Sequence, residues 1–388
     1  MHFAKNHPLD QIGLAWQLSE FHGWGVFGLN LALSLKNNGY PYAKFLHKPN
    51  IDPLKYPQLQ DSFKDWAENE ASYLNAQETI NHPNLTVIHS LGNDFAPTDR
   101  KHWGRKNIGF IFFENTTFSV QGLERARSFD LILAGSRWNA QILSKLGIKK
   151  VAYVMQGIDR QRFESVSPQK HPGKFVIFSG GKLEYRKGQD IVLAAFKEFY
   201  KRHPDSVLLT AWYNPWPQIT QDLVNSPFGF GVPRIVDNQV DVAEWCSRSG
   251  LPSSAFMHIG LTPNAQMPQI YANADVALFP NRAEGGTNLV AMEAMATGVP
   301  CILSANTGHL DLIAENNCIP LSQQKQYSIS SHMGWGESDV NEIVNSLELA
   351  YSNRERLNQI GINGKNFINQ FSWHEQTRKL VELCGAIY

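Results

Sequence analysis

Short apolar runs recur along the chain, each closed by Gly, Ser, Asn or Pro and followed by a longer stretch with helical spacing. A run of this length suits a strand buried on both faces, and the helical stretch after it suits the crossover that a parallel neighbour requires. In the first half the pattern predicts strands at 85–89, 108–113, 131–134 and 151–154, with only a marginal strand over 12–18. Residues 26–35 are apolar nearly all round and predict a buried helix. Residues 139–146 predict a short helix ended by Gly147, a residue type suited to the C-cap. In the second half the strands fall at 175–178, 207–210, 256–259, 276–279 and 301–303. Helices are predicted at 189–202, 267–272, 289–297, 340–352 and from Trp373 onward. Residues 160–174 are polar, hold Pro168 and Pro172 and lack apolar periodicity, which reads as an interdomain linker. Residues 214–233 are rich in Pro, Gly and Asn and predict an irregular loop over a cleft.

Alternating strand and helix signals over 388 residues predict an α/β protein of two domains. Lys plus Arg and Asp plus Glu both total 35, so zero net charge gives no long-range pull toward nucleic acid or an anionic membrane. Any anion site has to be built locally. The four cysteines form no CxxC pair and suggest a reducing cytosol. The opening residues show no apolar leader core, and no stretch of about 18 apolar residues occurs. The expectation is a cytoplasmic protein that meets a membrane, if at all, peripherally on its inner face.

Three glycine-bearing segments carry the candidate chemistry. Gly23, Gly25 and Gly28 have GxGxxG spacing ahead of the 26–35 helix, a pattern that lets backbone approach a phosphate and serves equally as a tight loop. No acidic residue follows at the distance a nicotinamide cofactor requires. Residues 179–188, SGGKLEYRKG, follow a strand; Gly180 and Gly181 suggest an open turn, and Lys182 and Lys187 suit a diphosphate at the sheet's carboxyl edge. Residues 279–300 are the most specific: a strand end, the loop NRAEGGT, then a helix. Gly285 and Gly286 clear space before that helix, Thr287 or Asn288 can cap it, and the amides around Leu289 can meet anionic oxygens. Glu284 lies in the loop. Glu293 lies within an apolar helix, where a buried carboxylate needs a ligand hydroxyl, such as a ribose diol, or an arginine to answer it. Glu114 ends an apolar strand and can contact an acceptor or cap a turn; His89, at another strand end, ranks lower. Thr307, Gly308 and His309 again follow a strand and can contact a donor sugar through their backbone, and the WYNPWP aromatics can stack on a sugar or pack on the core.

Taken in order, these segments resemble the retaining GT-B glycosyltransferases of family 4, the glycosyl transferases group 1, most specifically over 175–311. The resemblance implies two Rossmann-like doubly wound domains around an interdomain cleft: residues 1–165 for the acceptor, 166–370 for the nucleotide sugar, and 371–388 as a helix returning to the first domain. It implies that Gly181, Lys182 and Lys187 hold the donor diphosphate, with Lys182 standing where the family has arginine. Glu293 matches the ribose-binding glutamate, and Glu284 stands one residue out of the family register. Glu114 occupies a place where many members have histidine.

The implied reaction is transfer of a sugar from a nucleotide-diphosphate sugar, UDP- or GDP-linked, to an acceptor hydroxyl with retention. The acceptor could be a glycan, a lipid-linked group, a protein or a small molecule. Lys182, Lys187, Glu114 and Glu284 are the catalytic candidates; Gly25, Gly181, Gly285, Gly286, Thr287, Asn288, Leu289 and Glu293 the donor-binding ones. No cofactor and no metal is expected, because side-chain cations supply the charge and no Asp-x-Asp motif occurs. A nucleotide-sugar epimerase or sugar phosphorylase of the same architecture, or a non-catalytic sugar-binding or partner member, are the alternatives.

Overall fold

The computed structural model describes residues 11–21, 23–164, 166, 169 and 171–387. Residues 1–10 of the opening segment, His22 before the first glycines, and Pro168 of the expected linker lie outside the described residues. The chain divides into two compact units, Met1–Gly157 with Phe371–Tyr388, and Ile158–Gln370.

The first unit holds β1 (Ile12–Leu14), α1 (Gly23–Asn37), β2 (Lys44–Phe45), α2 (Gln60–Asn75), β3 (Ile80–Leu91), β4 (His102–Ile111), α3 (Val120–Ser128), β5 (Leu131–Ala134), α4 (Arg137–Lys145) and β6 (Val151–Tyr153). Its six strands run parallel in the order β2-β1-β3-β4-β5-β6. One face of the sheet buries Phe27, Leu31 and Leu35 of α1 together with Trp373, Leu380 and Val381 from the end of the chain. The other face buries Leu91, Phe95, Phe113, Phe129 and Ile142.

The second unit begins with α5 (Arg160–Glu164) and continues through β7 (Phe175–Lys182), α6 (Gln189–Tyr200), β8 (Ser206–Tyr213), the ribbon β9 (Ile235–Val236) and β10 (Gln239–Val240), α7 (Val242–Arg248), β11 (Phe256–His258), α8 (Met267–Ala272) and β12 (Val276–Phe279). It ends with α9 (Leu289–Ala296), β13 (Cys301–Ser304), β14 (Ile319–Leu321), the ribbon β15 (Gln324–Gln326) and β16 (Gly336–Ser338), α10 (Val340–Ser352) and α11 (Arg354–Ile368). The last helix, α12 (Trp373–Gly385), belongs to the first unit. The parallel sheet has the order β11-β8-β7-β12-β13-β14. Leaving the ribbons aside, this is the 3-2-1-4-5-6 order of a Rossmann fold, and the strand order reverses between β7 and β12. Ligands of open α/β sheets gather at the carboxyl ends of such a pair.

Several expectations change. A short strand, β1, does precede the first glycine segment, and Gly23, Gly25 and Gly28 are helical rather than looped. A Cβ on Gly25 would run into Ser19, and one on Gly28 would meet the Trp16 ring nitrogen at 2.7 Å. These glycines let α1 lie close against the chain that leads into it. Gly180 and Gly181 are not an open turn either. They continue β7, paired with Ala211 and Trp212 of β8, and Lys182 is the strand's last residue. The expected linker carries α5, which packs on α9 and belongs to the unit that begins at Ile158. The loop at 214–233 contains a 3-10 helix, Pro217–Asn225. All four cysteines are free and buried, and among the described residues no helix is long and apolar enough to cross a membrane.

Candidate functional site

Two loops at the strand-order reversal form the candidate site. The first leaves β7 at Lys182 and runs through the 3-10 turn Tyr185–Lys187 to Gly188, whose φ of 69° is left-handed. A Cβ on Gly188 would run into the Pro280 carbonyl, so glycine is needed for both conformation and space. That contact presses the first loop onto the second, which leaves β12 at Phe279 and ends at α9.

Between these loops the charges alternate. Lys182 Nζ lies 3.1 Å from Glu184, Arg186 lies 2.7 Å from Glu184 and 3.3 Å from Glu284, and Lys187 Nζ lies 2.6 Å from Glu284. Asn281 also donates to Glu284. Burial works against ionisation of Glu284, but the Lys187 and Arg186 cations outweigh it and hold its carboxyl down to about 2. The carboxylate is therefore charged at neutral pH and fixes two cations at the sheet edge. Lys182 is the most exposed of the three cations and lies 5.6 Å from the centre of the Trp216 ring. The structure thus brings Lys182, Lys187 and Glu284 together and adds Arg186. The signal for Arg186 was present: it adjoins Lys187 in the same motif.

The second loop is clamped from behind. Glu284 N donates to Thr307 Oγ1 at 2.8 Å, and Gly308 N donates to the Glu284 carbonyl at 3.0 Å. A Cβ on Gly308 would strike the Gly286 carbonyl oxygen. The 306–308 turn therefore seats Gly285 and Gly286. Of the two capping candidates, Asn288 takes the role: its side chain accepts from Ala291 N, at a left-handed φ of 61°. Thr287 instead turns its hydroxyl to Met292 Sδ. Within α9 only Leu289 and Val290 are partly exposed, and the rest of the helix is buried. Their amides belong to the first turn and have no acceptor within the helix.

Glu293 is buried at 3% exposure, and the expectation that a ligand or an arginine answers it needs correction. Asn264 Nδ2 donates to one carboxylate oxygen at 2.6 Å and Tyr271 OH to the other at 2.7 Å. Arg162 of α5 acts at one remove, donating to Asn264 Oδ1 at 2.6 Å. Burial pushes the Glu293 carboxyl up to about 7, against the pull of Tyr271, Asn264 and Arg162. Each oxygen keeps a second lone pair for a further donor.

Behind the second loop lies a network the sequence reading missed. Arg282 is fully buried and bidentate to Asp190 at 2.7 Å on both arms; it also donates to Glu337 at 2.9 Å and to the Tyr185 carbonyl at 2.7 Å. Glu114 and Gly25 lie in the first unit, where Glu114 follows β4 and Gly25 is buried in the first turn of α1.

Residues 173–327 match the family model of glycosyl transferases group 1. That stretch contains the two loops, the 306–308 turn and all three cations. D-inositol 3-phosphate glycosyltransferase of Nocardia farcinica is 24% identical over 215 residues, 55% of this chain and 41% of that protein. The match thus spans less than half the length of that relative. Among solved structures, sucrose-phosphate synthase from Thermosynechococcus elongatus has a TM-score of 0.64 at 15% identity, covering 97% of this chain and 99% of that one. HepE of Anabaena in complex with UDP-glucose has a TM-score of 0.59 at 15% identity, covering 97% and 99%. At these identities the likeness is one of fold. The fold is GT-B, with two Rossmann-like α/β units.

Proposed function

We propose that the chain is a retaining glycosyltransferase that moves a sugar from a nucleotide-diphosphate sugar to an acceptor hydroxyl. The observation that carries this reading is the clustering at the β7/β12 reversal of Lys182, Arg186 and Lys187 around Glu184 and Glu284, the latter in the loop that leads into the capped start of α9. Fixed cations and backbone donors in a partly buried site are suited to the charge a diphosphate gains as the glycosidic bond breaks. The bond from the anomeric carbon to the phosphate oxygen lengthens first. The acceptor oxygen then bonds to that carbon on the same face, and its proton passes to the leaving phosphate. Side chains supply the positive charge, so the reading includes no metal, and activity should survive EDTA. The acceptor is bound at the carboxyl edge of the first sheet, where Glu114 stands.

A thermal-shift screen with UDP, GDP, ADP and their sugars tests the donor site. A ligand at about 100 times its Kd adds roughly 2.7 kcal/mol to the state it binds. A clear rise in Tm with one nucleotide series is expected, and no rise with any of them would sink the reading. Incubating the preferred donor with candidate acceptors then separates transfer from epimerisation, which needs no acceptor, and from phosphorolysis, which needs phosphate. An inverted anomeric centre in the product would remove retention.

Glu293 is assigned to the ribose hydroxyls through its remaining lone pairs. Glu293→Gln should weaken nucleotide binding by about 10- to 100-fold, the range for losing charge-assisted hydrogen bonds. The same change should stabilise the unliganded protein at pH 8. The native pKa lies near 7, above the carboxyl's ordinary value of 4.5, so stability falls as pH rises through that interval. Melting curves should show the Gln variant above wild type at pH 8, with the gap narrowing toward pH 5. Unchanged nucleotide affinity would remove Glu293 from the donor site.

A further inference from the structure

The His309 imidazole is fully buried in the turn after β13, yet both its nitrogens are engaged. Its Nε2 lies 3.0 Å from Asn288 Nδ2, and its Nδ1 lies 2.9 Å from Ser304 Oγ. The direction of every bond in this chain follows from its ends. Asn288 Oδ1 accepts from Ala291 N, so the Asn288 amide nitrogen faces the ring and donates. The Ser304 hydroxyl gives its hydrogen to the Asn281 carbonyl at 2.7 Å, so its oxygen accepts from the ring. The imidazole is then neutral, with the proton on Nδ1 and a lone pair on Nε2. Asn281 closes the chain by donating through its side chain to Glu284.

We infer that His309 is a positioning residue for the donor diphosphate: its Nε2 lone pair holds the Asn288 amide in the orientation that caps α9, and its Nδ1–H ties that cap through Ser304 to the loop carrying Glu284. The inference rests on the reading of the α9 terminus as a phosphate seat. Asn288 has a left-handed backbone, which costs a non-glycine residue energy and persists only where the surroundings enforce it. The ring is what enforces it from the side-chain end. With a proton on Nε2, two donors would face each other, the Asn288 amide would turn over, and Ala291 N would lose its acceptor. Burial favours the neutral ring and holds its pKa down to about 4, although Glu284 pulls the other way. The grip therefore persists across the physiological range. One chain of bonds then sets the amides of Leu289 and Val290 and the Lys187–Glu284 pair relative to each other.

Two variants separate this grip from mere space filling. His309→Gln can place an acceptor where Nε2 stands. His309→Asn reaches only the Nδ1 place and leaves the Asn288 amide nitrogen without an acceptor. Binding of UDP, GDP and ADP to each is measured by calorimetry, with Tm recorded alongside. For the nucleotide that wild type binds, the Gln variant should stay within about threefold, whereas the Asn variant should weaken by about tenfold, the size of a lost N-cap. Equal losses in the two variants would overturn the inference. Nitrogen NMR of histidine-labelled wild type, with no ligand present, gives an answer independent of variant folding. A buried ring with its proton on Nδ1 from pH 6 to 8 is expected, and a proton on Nε2 would overturn the inference. Wild type that binds none of the three nucleotides would overturn the donor-site reading instead, and the ring tautomer would still decide whether the grip exists.

Discussion

Replacing Arg282 by Met should destabilise the second unit by about 3–5 kcal/mol, the cost of leaving a buried charge without its partner. Arg282 and Asp190 are both completely buried, and Glu337 is the guanidinium's second carboxylate. Removing the cation strands the fully buried Asp190 carboxylate without its two hydrogen bonds, and Glu337 and the Tyr185 carbonyl lose the other three. At roughly 2–4 °C per kcal/mol for a unit of this size, Tm should fall on the order of 10 °C. The guanidinium also lies 3.9 Å from the centre of the Tyr185 ring, and Tyr185 OH meets Tyr327 OH at 2.7 Å. One side chain thus ties the 185–187 turn, α6, the loop after β12 and the β15–β16 ribbon. The control is Arg282→Met with Asp190→Leu, which removes the stranded charge together with its partner and should recover much of the loss. If the single variant melts within about 1 kcal/mol of wild type, the network does not hold these loops.

The sequence and the structure agree where a segment is apolar and bounded on both sides. Strands 131–134 and 276–279 and helices 267–272 and 340–352 emerge with the same limits, because each apolar run is closed by a turn or capping residue. The misses have a different cause. Helix α2 buries only Ser62, Asp65, Trp66 and Tyr73, and α11 buries mainly Leu357, Ile360 and Ile368 with two glycines. So few apolar positions leave weak periodicity, and packing rather than local preference determines the helix. β2 is two residues long and exists only because β1 offers it an edge.

The glycine motifs show a sharper ambiguity. A missing Cβ allows a phosphate to approach backbone, and it equally allows a helix to approach a loop. Gly25 and Gly28 serve the second purpose, against Ser19 and Trp16. Nothing in the GxGxxG spacing distinguishes the two uses. At the proposed donor site the strand–glycine–helix order is what singles out Lys182, Lys187 and Glu284 after the strands and Glu293 in the helix that follows. It does not single out their partners. Lys187 and Glu284 are 97 positions apart, and Asn264 and Glu293 are 29 apart. Arg282 lies in the same loop as Glu284, and nothing in its sequence neighbourhood names its partner. Only the fold shows Asp190 waiting beneath it.

Lys187→Met should lower kcat by about 100- to 1,000-fold, the range for removing one preorganised donor to a developing negative charge. The expectation follows from where the ammonium is held. Glu284 fixes it at 2.6 Å by one hydrogen bond, and an ammonium has three donors, so the proposed phosphate oxygen is assigned to a donor that Glu284 does not use. A cation already paired with a carboxylate costs no reorganisation when the leaving charge appears, which is the condition for stabilising the transition state more than the ground state. The single variant also leaves Glu284 with Arg186 as its remaining cation, so some stability is lost along with activity. The double variant Lys187→Met with Glu284→Gln separates the two effects. It should regain Tm, because the buried charge has gone, while kcat stays low, because the ammonium has not returned. Recovery of both together would make Lys187 a structural counter-ion to Glu284 and leave the departing diphosphate to Lys182, Arg186 and the first-turn amides of α9.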